Sequence, residues 1–218
     1  MLRNILLLIA GCGLLIGLTA CKSGLNARQG AANEKMNTIS TAVMFKDFYY
    51  APYKVHCYLI AQNGEGVIVD AGGCDEEITA LVRQNNLNIK YIILTHGHRD
   101  HVEQAQKLKA RLGAEIVLNK ADQELYKETS AQVPDILLSG AQDHELGGMK
   151  IMILPVPGHT LGSQIVMIGD LIFLGDTPVN DLLAGSKESV KSYLDKLLPL
   201  PEQITAYPGH GDKLELKI

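Results

Sequence analysis

The chain has 218 residues, of which 46% are hydrophobic, and its formal net charge is only −4. These values predict one globular domain with a sizeable core and give no sign of disorder. The 20 Lys and Arg residues are balanced by 24 Asp and Glu residues and form no basic run. Because a nucleic-acid surface needs clustered cations to displace counterions from phosphates, we predict that nucleic acid is not a partner.

The N-terminal segment differs in kind from the rest of the chain. One cation, Arg3, precedes an uncharged apolar run over residues 5–18, which is typical of a secretory signal peptide. The run is marginal as a permanent membrane span, because about 20 apolar residues are needed to cross the hydrocarbon core and glycines interrupt it. We therefore predict export, with residues 1–20 as the signal peptide.

The apolar run ends in Leu18-Thr19-Ala20-Cys21, which resembles the bacterial lipobox. In that motif the cysteine becomes the new N-terminus after cleavage, and its thiol carries a diacylglycerol. The resemblance implies a lipid on Cys21 that anchors the exported protein to a membrane of the bacterial cell envelope. A plain signal peptide followed by an incidental cysteine is the alternative. Residues 21–40 are mostly small or polar and lack a hydrophobic period, so they predict a flexible tether to a domain over residues 41–218.

Two cysteines remain once the leader is removed and Cys21 is acylated. Cys57 and Cys74 do not form a disulfide framework, and two buried thiols are the simpler interpretation. A single bridge between them is the alternative in an oxidising compartment.

The first half of the domain predicts strands followed by helices. β-Branched and aromatic residues, apolar runs and the Asn63-Gly64 turn predict strands at residues 43–50, 55–60, 67–69, 91–94 and 114–118. Apolar residues at helical spacing predict helices at 75–86 and 101–112, with a polar loop at 95–100. The loop lies directly after an apolar strand, where functional side chains are common.

The second half repeats the order of strands and then a helix. Residues 122–140 are mixed and partly helical, and further strands are predicted at 150–154, 164–168, 171–174 and 204–207. An amphipathic pattern predicts a helix at 187–198. Two runs of strands, each followed by helices, favour an α+β fold, a four-layer αββα sandwich with its site at the strand ends.

Five of the seven histidines fall in short motifs that follow predicted strands, together with two aspartates. The set consists of His96, His98, Asp100, His101, His159, Asp176 and His210. Zinc accepts histidine nitrogen and aspartate oxygen, and catalytic zinc sites keep a position open for water, whereas structural sites are commonly closed by cysteines. Because the set contains no cysteine, it predicts a catalytic metal site.

These motifs resemble those of the metallo-β-lactamase fold superfamily. The run His96-Gly97-His98-Arg99-Asp100-His101 is similar to its HxHxDH motif, and the segments around the other three residues of the set resemble its remaining ligand motifs in their usual order. Asp70-Ala71-Gly72-Gly73 resembles the loop that supports the site. The likeness covers roughly residues 41–211 and is greatest to the glyoxalase II-like branch. It implies the αββα sandwich and a metal-dependent hydrolase.

Carried over residue by residue, the resemblance implies two metal sites that share one carboxylate. The first site would consist of His96, His98 and His159, and the second of Asp100, His101 and His210. Asp176 would bridge the two ions. Zinc is the expected metal, with iron or manganese as alternatives. A pair of divalent ions lowers the pKa of a water molecule between them and so supplies hydroxide near neutral pH.

Two aspartates are assigned further roles. Asp100 is implied as the catalytic residue that orients the attacking hydroxide. Asp70 is predicted to accept a hydrogen bond from a ligand histidine and so to fix its tautomer, although a turn-starting aspartate before two glycines is a comparable interpretation. We expect no serine or cysteine nucleophile.

The ligand set predicts hydrolysis of a small-molecule substrate without specifying the bond. The chain stops seven residues after Gly211, so we expect no counterpart of the helical domain with which glyoxalase II binds glutathione. Asp176 stands where β-lactamases of this superfamily typically carry Cys or Ser. We therefore expect cleavage of a thioester, a lactone or a similar activated acyl bond. A mononuclear iron dioxygenase acting on persulfides and a non-catalytic metal-binding lipoprotein are the alternatives.

Overall fold

A computed structural model describes residues 44–177 and 203–217. In these ranges two six-stranded sheets lie face to face, and each strand neighbours the next strand along the chain. The first sheet consists of β1 (Met44–Tyr50), β2 (Val55–Gln62), β3 (Glu65–Val69), β4 (Asn88–Ile93), β5 (Glu115–Asn119) and β6 (Ile136–Leu138). The second consists of β7 (Gln142–Leu146), β8 (Met149–Pro155), β9 (Gln164–Ile168), β10 (Leu171–Gly175), β11 (Gln203–Pro208) and β12 (Leu214–Lys217).

The helices of the described residues all lie between β3 and β6 in the chain. They are α1 (Asp75–Gln84), α2 (Arg99–Val102), α3 (Ala105–Leu112) and α4 (Gln123–Lys127), with a 3₁₀ turn at Lys120–Asp122. Because a crossover between parallel strands needs a long connection, α1 lies between the parallel pair β3 and β4, and α3 between β4 and β5. The α+β sandwich predicted from the sequence is confirmed. The predicted helix at 187–198 lies outside the described residues.

Apolar residues form three layers that match the sandwich. One cluster packs α1 and α3 against the first sheet and includes Ile78, Leu108 and Ile92. A second fills the space between the sheets, where Phe173 is fully buried among aromatic rings. A third lies on the far face of the second sheet and includes Met167. Burial on both faces of both sheets accounts for the nearly continuous apolar runs of the central strands.

The helix predicted at 101–112 is interrupted, and this expectation was wrong. α2 ends at Val102 and α3 begins at Ala105, with a break at Glu103 and Gln104. The Gln104 N–H donates to the Ala71 carbonyl (2.8 Å) and the Ala71 N–H to the His101 carbonyl (2.7 Å). The backbone here therefore bonds to the loop after β3 instead of continuing the helical ladder.

Three strands were not predicted, and all three lie at sheet edges. β6 has only three residues, and β7 is the polar segment Gln142–Leu146, whose residues are half-buried or exposed. An edge strand has one neighbour and need not bury both faces, so its sequence carries a weak apolar signal. The third, β12, pairs with β11 at the opposite edge of the second sheet.

Cys57 and Cys74 are both buried and unbridged, as the simpler interpretation predicted. Among residues 44–177 and 203–217 no helix is long and apolar enough to cross a bilayer. The signal peptide at 1–20, the tether at 21–40 and the lipidation site Cys21 lie outside the described residues, so these assignments and the domain bounds 41–218 stay predictions.

Candidate metal centre

The predicted ligands meet at one edge of the sandwich. β3 and β4 are parallel, as are β10 and β11, so the carboxyl ends of each pair lie side by side. Asp70 directly follows β3, and the loop that begins at Leu94 follows β4. Asp176 directly follows β10, and His210 comes two residues after β11. Chain topology alone thus brings residues that are distant in sequence to one place.

Backbone hydrogen bonds hold the two sheets together at this edge. The Gln164 N–H donates to the Thr95 carbonyl (2.9 Å), and the His56 N–H donates to the Gly209 carbonyl (2.8 Å). Both bonds join the first sheet or its loops to the second. They fix the distance between the two groups of candidate ligands.

Three histidines form the first triad: His96, His98 and His159. Their ligand atoms lie within 4.8 Å of one another. His98 Nδ1 and His159 Nε2 face each other at 2.9 Å, and the buried His96 Nε2 has no hydrogen-bond partner. Neutral imidazole nitrogens that face one another in this way are satisfied by a shared cation, since a tetrahedral zinc places its nitrogen ligands roughly 3.3 Å apart.

The second triad combines a carboxylate with two histidines. His210 Nε2 lies 3.1 Å from Asp100 Oδ2 and 3.4 Å from His101 Nε2. His101 is fully buried, whereas Asp100 and His210 keep about a third of their side-chain surface exposed. This side of the centre is open to solvent, as a site that receives water and substrate requires.

Asp176 lies between the two triads. Its Oδ1 is 3.2 Å from His101 Nε2, although the angles are not those of a hydrogen bond. Its Oδ2 is 3.5 Å from both His159 Nε2 and His210 Nε2. One carboxylate therefore faces ring nitrogens of both triads, which is the position that a bridging ligand needs.

The two buried histidines, His96 and His101, have pKa values shifted in opposite directions. Burial, together with the positive charge on His101, lowers the pKa of His96 to about 2. Burial also acts to lower the pKa of His101, but Asp70 and Asp176 overcome it and raise that pKa to about 10. Burial acts to raise the pKa of Asp176, yet the surrounding histidines hold it well below its ordinary value. Without a cation, the proton on His101 offsets part of the negative charge of Asp70 and Asp176.

Asp70 makes the contact that the sequence predicted. It is 1% exposed, and its Oδ2 accepts a hydrogen bond from His101 Nδ1 at 2.8 Å. Its carboxylate also accepts the N–H and the hydroxyl proton of Thr95. Because that hydroxyl donates to Asp70, its oxygen is free to accept from His96 Nδ1 at 3.1 Å. Asp70 thus fixes the tautomers of two histidines, with Nε2 of each directed into the centre.

Sequence reasoning missed two groups that hydrogen-bond directly to candidate ligands. Thr95 is one of them, and the other is the Lys54 carbonyl, which accepts from His210 Nδ1 at 2.8 Å. A threonine directly before the HxHxDH run was a visible signal. No residue-type signal could have found Lys54, because its contribution is a backbone atom of the β1–β2 hairpin.

Gly209 is required by the close approach of two ligands. A Cβ added at this position would meet the His101 ring and the Asp176 carboxylate. The glycine before His210 therefore lets the backbone pass directly behind the centre.

The donor set fits divalent metal ions. All seven predicted residues come together in three overlapping groups of nitrogen and oxygen donors, and no cysteine belongs to any of them. Such donors suit zinc and also iron or manganese. The two remaining histidines serve elsewhere. His56 Nδ1 lies 2.7 Å from Asp47, and His144 contacts the ring of Tyr91.

A family model for the metallo-beta-lactamase superfamily matches residues 50–210. Among its relatives, the chain is similar to the hydroxyacylglutathione hydrolase GloC of Haemophilus influenzae. The two are 32% identical over 185 residues, which is 73% of this chain and 86% of that protein. The family-model match spans every candidate ligand, from His96 to His210.

Solved structures show the same architecture. The BLEG-1 B3 metallo-beta-lactamase has a TM-score of 0.64 at 24% identity and covers 79% of this chain and 94% of its own, which is evidence for the fold alone. TTHA1623 in a di-iron-bound form has a TM-score of 0.58 at 25% identity over 77% of this chain and 93% of its own. The matched motifs, the two facing sheets and the paired triads at their edge agree, and the chain belongs to the metallo-beta-lactamase superfamily of metallohydrolases.

Proposed function

We propose that this protein is a hydrolase with two metal ions that cleaves a thioester, a lactone or a similarly activated acyl bond of a small molecule. The observation that carries the proposal is the position of Asp176, whose two oxygens face ring nitrogens of both triads at 3.2 to 3.5 Å. A single tetrahedral ion uses four ligands, so seven convergent donors are more than one ion needs.

In this proposal His96, His98 and His159 hold one ion, and Asp100, His101 and His210 hold the other. Asp176 is shared between them. When bound, the ions would lower the pKa of a water molecule and polarise the carbonyl of the substrate. Zinc is the first choice for both positions, with iron or manganese as alternatives.

The residues of the chain orient the reactants. Asp100 is about one-third exposed and lies at the open side of the centre, so it can accept a hydrogen bond from water and direct a lone pair toward the substrate. Asp70 and Thr95 hold the histidine rings in place before any substrate arrives. The catalytic groups therefore need little rearrangement during the reaction.

The choice of bond follows from the leaving group. A thiolate, or the alkoxide of a strained lactone, leaves without a strong general acid, and the centre offers carboxylates and histidines directed at the metal positions rather than a separate acid. The similarity to GloC supports an acyl derivative of a thiol as one substrate class, since that protein is named a hydroxyacylglutathione hydrolase. Expulsion of a β-lactam nitrogen is harder, so we propose weak or absent β-lactam cleavage.

The test combines metal analysis with a substrate panel. Purified protein should contain close to two metal ions per chain and should hydrolyse generic thioesters or lactones faster than β-lactams. A His98→Ala variant, which loses a donor of the first triad, serves as the matched control for metal-dependent turnover. One iron per chain together with persulfide oxidation would instead identify a mononuclear dioxygenase, and two bound metals without turnover on the panel would favour a non-catalytic metal-binding protein.

A further inference from the structure

Asp122 is a buried carboxylate outside both triads. It ends the 3₁₀ turn Lys120–Asp122 beyond β5 and is 2% exposed. Its Oδ2 accepts the Gly97 N–H (2.9 Å) and the Thr160 hydroxyl (2.7 Å), and its Oδ1 accepts the Gly162 N–H (2.7 Å). Burial of a carboxylate is costly unless it is hydrogen-bonded, and these three donors provide the compensation.

The two loops that Asp122 joins carry the first triad. Gly97 lies in the loop after β4, immediately before His98, and Thr160 lies in the loop between β8 and β9, immediately after His159. The loops belong to different sheets, yet the two histidine rings approach to 2.9 Å. Asp122 is the group that bonds to both loops within one residue of these two ligands.

The hydrogen-bond network around Asp122 has a fixed direction. A carboxylate only accepts, so the Thr160 hydroxyl must donate to Asp122 and in turn accepts from the Ser163 hydroxyl at 2.8 Å. The Ser163 oxygen accepts the Thr160 N–H at 2.9 Å, which closes the loop on itself. The loop that holds His159 is thus ordered through one carboxylate.

The close approach of Asp122 explains why positions 97 and 162 are glycines. A Cβ at Gly162 would lie 2.7 Å from Asp122 Cβ, and a Cβ at Gly97 would lie 3.2 Å from it. Neither glycine has a positive φ, so close approach to Asp122, and not backbone conformation, explains the missing side chains.

We propose that Asp122 is a positioning residue that sets the separation of His98 and His159 and so controls metal affinity at the first triad. The proposal rests on the two-metal function proposed above. The second triad is held by other groups, since Asp70 bonds His101 and the Lys54 carbonyl bonds His210. Asp122 should therefore act on one metal position and leave the other nearly unchanged.

The test uses Asp122→Asn, which preserves shape but replaces one acceptor oxygen by a donor. Whichever way the amide is turned, its NH₂ group faces the N–H of Gly97 or of Gly162. The change is made in two backgrounds: His210→Ala, which leaves the first triad intact, and His98→Ala, which leaves the second. Zinc affinity is measured on metal-free protein by competition with a chromophoric chelator.

In the His210→Ala background, we expect Asp122→Asn to lower zinc affinity roughly 10- to 100-fold, because loss of a group that supports a metal ligand has an effect of this size. In the His98→Ala background, we expect zinc affinity to fall by less than about twofold. Asp135→Asn is the matched control, because Asp135 also accepts a backbone N–H, that of Ile116, and lies away from the centre. Equal losses in both backgrounds would show a general structural role and overturn the proposal. Unchanged affinity in the first background would also overturn it.

A milder pair of variants keeps the inference testable if Asp122→Asn does not fold. Thr160→Val removes one of the three hydrogen bonds and should weaken zinc binding in the His210→Ala background, whereas Thr160→Ser retains the hydroxyl and should restore it. Equal affinity of these two variants would contradict the proposed role. Wild-type protein that binds neither zinc, iron nor manganese would overturn the two-metal function itself. That outcome is distinct from a failure of the present inference, in which the wild type binds metal and the Asp122 and Thr160 variants bind it equally well.

Discussion

Three histidines of the candidate metal centre already have their second ring nitrogen hydrogen-bonded to the protein. His96, His101 and His210 each direct Nδ1 to an oxygen of the protein, from Thr95, Asp70 and the Lys54 carbonyl respectively. The Nε2 atoms are thereby left to face the interior of the site. At the scale of single residues, affinity for a cation would arise from fixed tautomers and fixed ring planes as much as from the candidate ligands themselves.

Asp176 gives the first residue-scale prediction. Replacing it with Ala should remove the shared ligand and raise the activation barrier for thioester or lactone hydrolysis by about 2 to 4 kcal/mol, roughly 30- to 1,000-fold in rate. The measurement is kcat/KM with metal content determined on the same samples. Asp143→Ala, which removes an exposed carboxylate on β7, is the control and should leave kcat/KM nearly unchanged. Full turnover by Asp176→Ala would contradict the bridged arrangement.

The raised pKa of His101 predicts how the metal-free protein responds to pH. His101 remains protonated in the fold up to a pKa of about 10, whereas an unfolded histidine loses its proton near pH 6.5. Its contribution to stability is therefore fully present below pH 6.5 and is lost as the pH rises through 10. Between about pH 7 and pH 9, the free energy of unfolding should fall by up to about 1.4 kcal/mol per pH unit.

Asp70→Asn removes the carboxylate that raises this pKa and should flatten the slope. Asp75→Asn is the control, because Asp75 is also buried but pairs with Lys107 and Arg111 away from the centre. Urea unfolding of chelator-treated protein at several pH values measures the effect. A slope that is the same in wild type and in Asp70→Asn would show that His101 does not carry the proton.

At the scale of elements, the positions of the ligand loops followed from the sequence because each motif comes directly after a strong apolar run. The central strands β2, β3, β9 and β10 are buried on both faces, and their sequences are accordingly almost continuously apolar. Edge strands such as β7 were not predicted from the sequence, because their half-exposed residues show no apolar periodicity. The break between α2 and α3 was not predicted, because it depends on backbone hydrogen bonds to Ala71, a residue that is distant in the chain.

Support for the ligands was less predictable than the ligands themselves. Metal-binding chemistry restricts ligand positions to a few residue types, which makes a cluster of histidines visible in a sequence. The supporting groups are ordinary residues or backbone atoms, such as Thr95, Asp122 and the Lys54 carbonyl. Their importance arises only from the tertiary approach of separate loops, which no local pattern records.

The layer between the sheets yields the element-scale prediction. Phe173 on β10 is fully buried and packs against Tyr58 and Tyr207, with ring centroids 5.0 and 5.6 Å away. Phe173→Ala should leave a cavity and cost about 3 to 5 kcal/mol of unfolding free energy, whereas Phe173→Leu should cost less. Val133→Ala removes an exposed apolar side chain and should change stability by less than about 0.5 kcal/mol. Chemical denaturation of the three variants gives the comparison, and equal effects would show that this layer does not hold the sheets together.

At the scale of the whole molecule, we propose an exported protein held to a membrane by a lipid on Cys21, with the metal centre carried beyond the tether at 21–40. The proposal rests on the Leu18-Thr19-Ala20-Cys21 resemblance. Cys21→Ser should release the protein from the membrane fraction and abolish its acylation, while the specific activity of the released protein stays the same. A Cys57→Ser variant is the control for the loss of a thiol. Membrane association of an unacylated Cys21→Ser protein would instead indicate an uncleaved N-terminal anchor.

Contacts of the centre span very distant parts of the chain: the facing ring nitrogens of His98 and His159 are 61 residues apart, and those of His101 and His210 are 109 residues apart. Closing such long loops is slow, so neither triad exists until both sheets have assembled. A bound ion should therefore act after the rate-limiting step of folding and restrain only the completed fold. Stopped-flow experiments should show a refolding rate nearly independent of zinc and an unfolding rate that zinc lowers strongly. Bound metal would then lengthen the lifetime of the folded state without increasing the rate at which it forms.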